Sequence, residues 1–233
     1  MEFLTSPEFW VALGQIIIID ILLGGDNAVV IALACRRLPP HLRTRGILWG
    51  TVGAIALRVV LIFFALSLLK LPALKLVGAV LLIWIGVKLL LPEDEDEHGN
   101  IAASDKLWAA VKTVIVADLV MSVDNVIGIA GAAETAAPGH QMSLVIFGLL
   151  VSVPIIVWGS QLVIKLMDRF PSIITIGGML LGWIAGTLAV ADPLLTDWVG
   201  ATVPRAFYWG AGLSGAVLVW LLGQYFTRRR RPV

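Results

Sequence analysis

The chain consists of long, continuous apolar runs separated by short polar breaks. A helix that spans a membrane needs about 20 mostly apolar residues. Seven runs meet this requirement, at approximately 9–35, 47–69, 73–91, 107–133, 143–166, 173–191 and 207–226. Proline and charged residues end them, as at Arg36, Arg37, Pro39 and Pro40,. The apolar residues follow one another continuously and do not alternate with polar residues. The pattern therefore predicts transmembrane helices and not a β-barrel.

Composition supports this prediction and narrows the class of protein. Apolar residues make up 59% of the 233 residues and charged residues 14%, against about 25% charged in a soluble domain. These values exclude a soluble globular protein and a disordered chain. The net charge of +1 gives no excess of positive charge for binding nucleic acid,. We expect an all-α membrane protein with a single transmembrane domain over residues 1–233.

The distribution of basic residues predicts the orientation in the membrane, because cytoplasmic loops are enriched in Lys and Arg. With the N-terminus outside, only Lys70, Lys75 and Arg205 lie on the outer side, and Arg58 lies inside the second span. The N-terminus has no basic region typical of a signal peptide, so the first span is read as uncleaved. We therefore expect an N-out, C-in protein of the bacterial inner membrane. The other thirteen basic residues are then cytoplasmic: Arg36, Arg37, Arg43, Arg45, Lys88, Lys106, Lys112, Lys165, Arg169 and Arg228 to Arg231.

The first six spans contain an internal repeat. IIIDILLGGDNAVVIA at 17–32 matches IVADLVMSVDNVIGIA at 115–130 with an offset of 98 residues, and VGAVLLIWIGVKL at 77–89 matches IGGMLLGWIAGTL at 176–188 with an offset of 99. Three spans are an odd number, so the second copy enters the membrane from the opposite side, as in many secondary transporters. The predicted order is repeat 1 at about 8–91, an acidic cytoplasmic loop at 92–106, repeat 2 at about 107–191 and an extra helix at 207–226.

The repeated segments place carboxylates in the middle of two spans. A central Asp costs about 3 kcal/mol on insertion scales, and Arg58 is the only fixed positive charge at that depth. Carboxylate and amide oxygens are ligands that hard divalent cations prefer. The alternative is a structural network of salt bridges and hydrogen bonds that holds no ion. The predicted metal ligands are Asp20, Asp26, Asn27, Asp118, Asp124 and Asn125.

Helix geometry adds detail to this site. Asp20 and Asp26 would lie about 120° and about 9 Å apart on one ideal helix, and Gly24-Gly25 between them favours a break. From depth in the membrane we expect Asp26 to pair with Asp118, and Asp20 with Asp124. Met121 either packs in the core or adds a softer ligand that favours Mn²⁺ over Ca²⁺ and Mg²⁺.

Two further patterns lie outside the acidic segments. Glu93 to Glu97 form an acidic run that is either a solvated loop or a collector of cations. Gly178, Gly182 and Gly186 form a stripe of small residues, which suits close helix packing. We expect this packing to occur within one chain and not between two copies. The chain contains no HExxH, GxSxG or Walker A motif, and we expect neither an enzyme nor a bound cofactor.

The segments DILLGGDNAVVIALACRRLP at 20–39 and ADLVMSVDNVIGIAGAA at 117–133 resemble the two signature segments of the TerC family of integral membrane proteins. The match looks closest to its YjbE-type bacterial branch and covers about residues 8–191. The resemblance implies seven spans and a role in metal-ion homeostasis, chiefly manganese export. It also places the six predicted ligands on the family's motif acids and amides.

The expected function is a secondary transporter that exports a divalent cation, Mn²⁺ above others, in exchange for protons. One alternative is an accessory membrane protein that delivers metal to other proteins or assembles with them. Another is transport of Ca²⁺ or an amino acid on the same scaffold. The expected partners are the metal ion, protons as counter-ion and the lipid bilayer, with no nucleic acid; the oligomeric state is left open.

Overall fold

The computed structural model describes residues 7–23, 25–68, 73–91, 103–134, 141–195 and 204–229. Gly24, the acidic run Glu93–Glu97, Arg230 and Arg231 lie outside these residues, as do the side chains of residues 123–134, which include Asp124 and Asn125. The described chain contains no strand. Its helices are α1 (Pro7–Leu23), α2 (Gly25–Cys35), α3 (Pro40–Leu68), α4 (Leu74–Leu90), α5 (Ala103–Glu134), α6 (Gln141–Arg169), α7 (Ser172–Val190) and α8 (Arg205–Arg229).

Each apolar run of the sequence corresponds to one helix, except the first, which forms α1 and α2. The helices extend past several predicted ends. For example, α3 begins at Pro40 and not at residue 47, because proline fits the first turn of a helix and the following polar residues are compatible with helix. Hydropathy marks the apolar part of a span and not the polar turn that continues it.

Four of the described helices are long and apolar enough to cross a membrane, at Pro40–Phe64, Val145–Arg169, Ser172–Val190 and Arg205–Arg229. Large apolar side chains also cover the outside of the bundle: Phe63 is 71% exposed, and Val80 and Trp158 are each 67% exposed. A soluble protein rarely exposes so large an apolar surface. The chain is therefore an α-helical membrane protein whose outer face suits lipid.

The helices pack in a crossed pattern between the two halves of the chain. The pair α1 and α2 packs on α6, α3 packs on α5, and α4 packs on α7. Two glycines show this at atomic detail. A Cβ at Gly50 of α3 would lie 2.9 Å from Cγ1 of Val114 in α5, and one at Gly148 of α6 would lie 2.6 Å from Cγ2 of Ile16 in α1. Gly148 and Val114 each stand 98 positions after Gly50 and Ile16, so the two contacts exchange equivalent positions.

Burial follows the same spacing. On α3 the buried positions include Ile47, Thr51, Ala54 and Arg58, and on α6 the positions 98 residues later, Val145, Leu149, Ser152 and Ile156, are also buried. On α4 and α7 the buried leucines Leu82 and Leu181 are related by an offset of 99. The matched positions therefore turn the same faces inward, although their side chains differ.

Polar contacts hold helix ends together at both ends of the bundle. Arg37, after α2, donates to the carbonyl oxygens of Lys88 and Leu89 at the end of α4, each at 3.0 Å. Arg43 of α3 pairs with Asp168 of α6 at 2.9 Å. At the opposite end of α4, the buried Asp192 accepts hydrogen bonds from the backbone N–H groups of residues 73, 75 and 76 at 3.0–3.2 Å. Asp192 thus satisfies N–H groups that have no partner within α4.

The glycine stripe of α7 packs against two helices of the same chain: Gly178 faces Leu90 of α4, and Gly182 and Gly186 face α8. A Cβ at Gly182 would collide with the carbonyl oxygen of Gly215, and one at Gly186 with the carbonyl oxygen of Ala211. Trp183 packs against Gly212 of α8, and its ring lies edge-on to that of Trp209 with 5.2 Å between the ring centroids. Only the absence of side chains lets the two backbones approach so closely.

We expect Gly182→Ala to destabilise the protein by about 1–3 kcal/mol, because the added methyl group must push α7 and α8 apart. Gly210→Ala on α8 is the matched control, since a Cβ there meets nothing within 4 Å and alanine favours helix. Thermal unfolding in detergent measures both. A Gly182→Ala protein that is as stable as Gly210→Ala would contradict the close contact.

Candidate functional site

The centre of the bundle holds a buried arginine on α3. Arg58 belongs to the stripe of inward-facing positions that α3 forms with Ile47, Thr51, Ala54 and Leu61, which recur with the period of a helix face,. Only 3% of its surface is exposed. A guanidinium group stays charged in proteins, so its neighbours must compensate a fixed positive charge in an apolar interior.

Two carboxylates from different halves of the chain provide this compensation. Arg58 donates through one terminal nitrogen to Oδ1 of Asp20 in α1, and through the other to Oδ1 of Asp118 in α5 at 2.7 Å. Its Nε donates to Oγ of Ser122 at 3.0 Å, and Ser122 donates to Oδ2 of Asp118 at 2.9 Å. The guanidinium group thus joins α1, α3 and α5, and Asp20 and Asp118 are the equivalent acids of the two repeated segments.

Among the described side chains, this network has more acceptors than donors. Oδ2 of Asp20 and Oδ1 of Asn27 are both buried, and neither accepts a hydrogen bond from a described residue. Ser152 of α6 lies close to Asp20, but its hydroxyl donates to the carbonyl oxygen of Gly148 at 3.1 Å. A buried acceptor without a donor costs about 1–3 kcal/mol. These two oxygens are therefore available for a cation.

The two predicted acids of the first segment lie on two different helices, α1 and α2, with Gly24, outside the described residues, between them. α1 ends at Leu23 and α2 begins at Gly25, so Asp26 stands in the first turn of α2. Oδ1 of Asp26 accepts a hydrogen bond from the backbone N–H of Asn27 at 2.9 Å. A carboxylate is favoured at the N-terminus of a helix by the unpaired N–H groups and the helix dipole. The second segment differs, because α5 runs unbroken from Ala103 to Glu134.

The structure brings part of the predicted ligand set together. Asp20, Asn27 and Asp118 are buried, Asp26 is half-buried, and Asp26 lies within electrostatic range of Asp118 and Arg58. Among the described side chains no three acidic, cysteine or histidine residues form a group that could hold a metal by themselves, since Arg58 stands between Asp20 and Asp118. The predicted pair Asp20–Asp124 and the six-residue site stay predictions, because Asp124 and Asn125 have no described side chains. The pair Asp26–Asp118 also stays a prediction, although Asp118 is among the charges that act on Asp26.

Sequence reasoning did not assign the roles of Arg58 and Ser122. Arg58 was recognisable as the one basic residue inside a span, but its link to two acids depends on the packing of three helices. Ser122 had a local signal, since it follows Asp118 by four residues and therefore lies on the same helix face. Met121 packs in the main hydrophobic cluster, which agrees with the interpretation as a core residue.

Comparison with known proteins gives a consistent assignment. A model of the integral membrane protein TerC family matches residues 5–231. The uncharacterized membrane protein YjbE of Bacillus subtilis (strain 168) is 41% identical over 189 residues, covering 81% of this chain and 84% of YjbE. YceF and YkoY of the same organism, also uncharacterized membrane proteins, are 26% and 25% identical and cover 81% and 91% of this chain, with 74% and 72% of their own lengths aligned. No solved structure matches the chain.

We expect Ser122→Ala to destabilise the protein by about 1–3 kcal/mol, because it leaves Nε of Arg58 and Oδ2 of Asp118 without a partner in the interior. Ser214→Ala is the matched control on α8, since this exposed serine only donates to the carbonyl oxygen of Gly210 in its own helix. Unfolding in detergent measures the difference. Equal stability of the two variants would argue against a tightly coupled network.

Proposed function

The chain belongs to the TerC family of integral membrane proteins, and on that premise we propose that it is a secondary transporter of a divalent metal cation. The proposed direction is export from the cytoplasm and the proposed counter-ion is the proton. Mn²⁺ is the proposed cargo above other divalent ions. The proposed ligands are the six acids and amides of the repeated segments, Asp20, Asp26, Asn27, Asp118, Asp124 and Asn125.

The observation that carries this proposal is the surplus of buried acceptor oxygens on α1 and α2. No described residue donates to Oδ2 of Asp20 or to Oδ1 of Asn27, and the one described buried guanidinium group is already bonded to two carboxylates and a hydroxyl group. A purely structural network would pair its acceptors, because unpaired polar groups in an apolar interior are costly. A hard cation that binds carboxylate and amide oxygens would supply the missing partner.

The proposed architecture is seven spans, arranged as two inverted repeats of three with α8 added. The exchanged contacts of Gly50 with Val114 and of Gly148 with Ile16 support it, since a two-fold axis in the membrane plane would relate such contacts. The repeated burial on α3 and α6 supports it as well. In this architecture Asp20 and Asp118 meet at the interface of the repeats, where many secondary transporters bind their substrates.

The geometry weighs against an amino acid as the cargo. A transported amino acid needs a cation for its carboxylate, and Arg58 is the one described cation in the interior. Its guanidinium group is already shared between Asp20 and Asp118. The described side chains bonded to Arg58 offer a cation only oxygen atoms, and Met121 packs in the main hydrophobic cluster. The preference for Mn²⁺ over Ca²⁺ therefore rests on the family and not on a soft ligand.

We expect proteoliposomes that contain only this chain to transport radioactive Mn²⁺, and Asp20→Asn to abolish most of the flux. Removing one carboxylate should weaken binding by roughly tenfold or more, since it removes a unit charge from the cation's neighbourhood. Asp168→Asn is the matched control, because Asp168 pairs with Arg43 at an exposed helix end. Flux counting and the shift in melting temperature with Mn²⁺ measure the two effects.

The same experiment separates the alternatives. An accessory protein would bind Mn²⁺ but give no flux in proteoliposomes that lack other proteins. A structural network without an ion would give no Mn²⁺-dependent melting shift in the wild-type protein, and Asp20→Asn would then only lower stability.

The proposed N-out, C-in orientation predicts which positions react with an impermeant thiol reagent. In a Cys35→Ala background, Leu194→Cys should be labelled on intact cells and Thr44→Cys only after the cells are opened. Both residues are exposed at the ends of helices, at opposite ends of the bundle. Labelling of Thr44→Cys on intact cells would reverse the orientation.

A further inference from the structure

Arg58 occupies the oxygens that the proposed cargo would need. Its two terminal nitrogens bond to Oδ1 of Asp20 and Oδ1 of Asp118, and Oδ2 of Asp118 accepts from Ser122. Of the four carboxylate oxygens, Oδ2 of Asp20 is the one that accepts no hydrogen bond from the part of the chain that the structure describes. A hard divalent cation takes six or more oxygen ligands, and the hydrogen bonds of Arg58 and Ser122 engage three of the four carboxylate oxygens that would provide them.

Electrostatic repulsion opposes the binding of Arg58 and a divalent cation to the same two carboxylates at the same time. Arg58 and Asp20 are 3% and 1% exposed, so the interaction between charges there is screened much less than in water. A guanidinium group in contact with the same carboxylates as a divalent cation would repel it at close range. Binding of the cation to Asp20 and Asp118 therefore requires Arg58 to leave them.

The net charge of the centre also matters when no divalent cation is bound. Two ionised carboxylates without Arg58 would carry a charge of −2 in the interior, and with Arg58 they carry −1. Uncompensated charge at this depth is unfavourable. Arg58 thus lowers the free energy of the cargo-free centre, which a carrier must pass through to return for the next ion.

We propose that Arg58 is an internal counter-cation that competes with the transported divalent cation for Asp20 and Asp118 and replaces it in the cargo-free carrier. This inference rests on the proposed transport function. It predicts that Arg58 lowers the affinity for the cation, whereas a residue that merely positions the acids would raise it. A positioning residue strengthens ion binding, whereas a competitor weakens it.

Equilibrium binding of Mn²⁺ to the purified protein in detergent tests whether Arg58 weakens or strengthens ion binding. Arg58→Gln should bind Mn²⁺ roughly tenfold more tightly than the wild-type protein, because a repelling unit charge has been removed. Arg43→Gln is the matched control, since it removes an arginine from an exposed pair with Asp168, and its affinity should stay unchanged. Weaker or unchanged binding by Arg58→Gln overturns the proposal.

Flux measurements test the second half of the proposal. Exchange of Mn²⁺ for radioactive Mn²⁺ across the membrane never requires the cargo-free carrier to reorient, whereas net transport does. Arg58→Gln should therefore retain exchange and lose most of its net flux, and Arg43→Gln should keep the wild-type ratio of the two rates. Equal loss of exchange and net flux, or no loss of net flux, overturns the proposal.

Arg58→Lys keeps the test decisive if Arg58→Gln does not fold. A lysine keeps the charge but cannot bond to two carboxylates with a planar fork, so it should compete less well and Mn²⁺ should bind more tightly than in the wild-type protein. Unchanged or weaker binding by Arg58→Lys overturns the proposal. Failure of the transport function itself looks different, because the wild-type protein would then show neither exchange nor net flux.

Discussion

The structure depends on the compensation of one buried positive charge. Arg58 cannot lose its charge and has almost no access to solvent,, so α1 and α5 must each present a carboxylate to α3. This requirement fixes the rotation of three helices about their axes, because Asp20, Arg58 and Asp118 have to meet at one depth. The remaining helices pack around this centre through apolar contacts and through glycines that let backbones approach closely,.

The duplicated segments have diverged at the positions that make the centre asymmetric. Gly24 and Ser122 are equivalent in the alignment of the repeats. In the first copy this position is outside the described residues, between α1 and α2, and in the second it supplies the hydroxyl group between Arg58 and Asp118. The position equivalent to Arg58 is Ile156. A symmetric pair of acidic segments thus surrounds a single cation that belongs to one copy.

The all-helical class follows from the sequence because burial in lipid requires continuous hydrophobicity, and the family resemblance follows from the two acidic segments. The sequence also predicts a helix break at Gly24-Gly25 as a local property of the chain, and this stays a prediction because Gly24 lies outside the described residues. The predicted ends of α3 and α5 were less accurate, since polar turns extend each helix beyond its apolar part. The bonds of Arg58 were not predictable in the same way, because they depend on how three helices, distant in sequence, are rotated against one another.

Because the centre is asymmetric, two different features compensate the charges of its acids. Arg58 compensates Asp20 and Asp118, whereas the N-terminus of α2 favours the carboxylate of Asp26,. The two acceptor oxygens that lack a described donor, on Asp20 and Asn27, belong to different helices, α1 and α2. A cation bound by both oxygens would therefore link α1 to α2, whereas Arg58 links α1 to α3 and α5. Exchange of one cation for the other would change which helices are held together, and α5, which runs unbroken, would serve as the fixed side of the site.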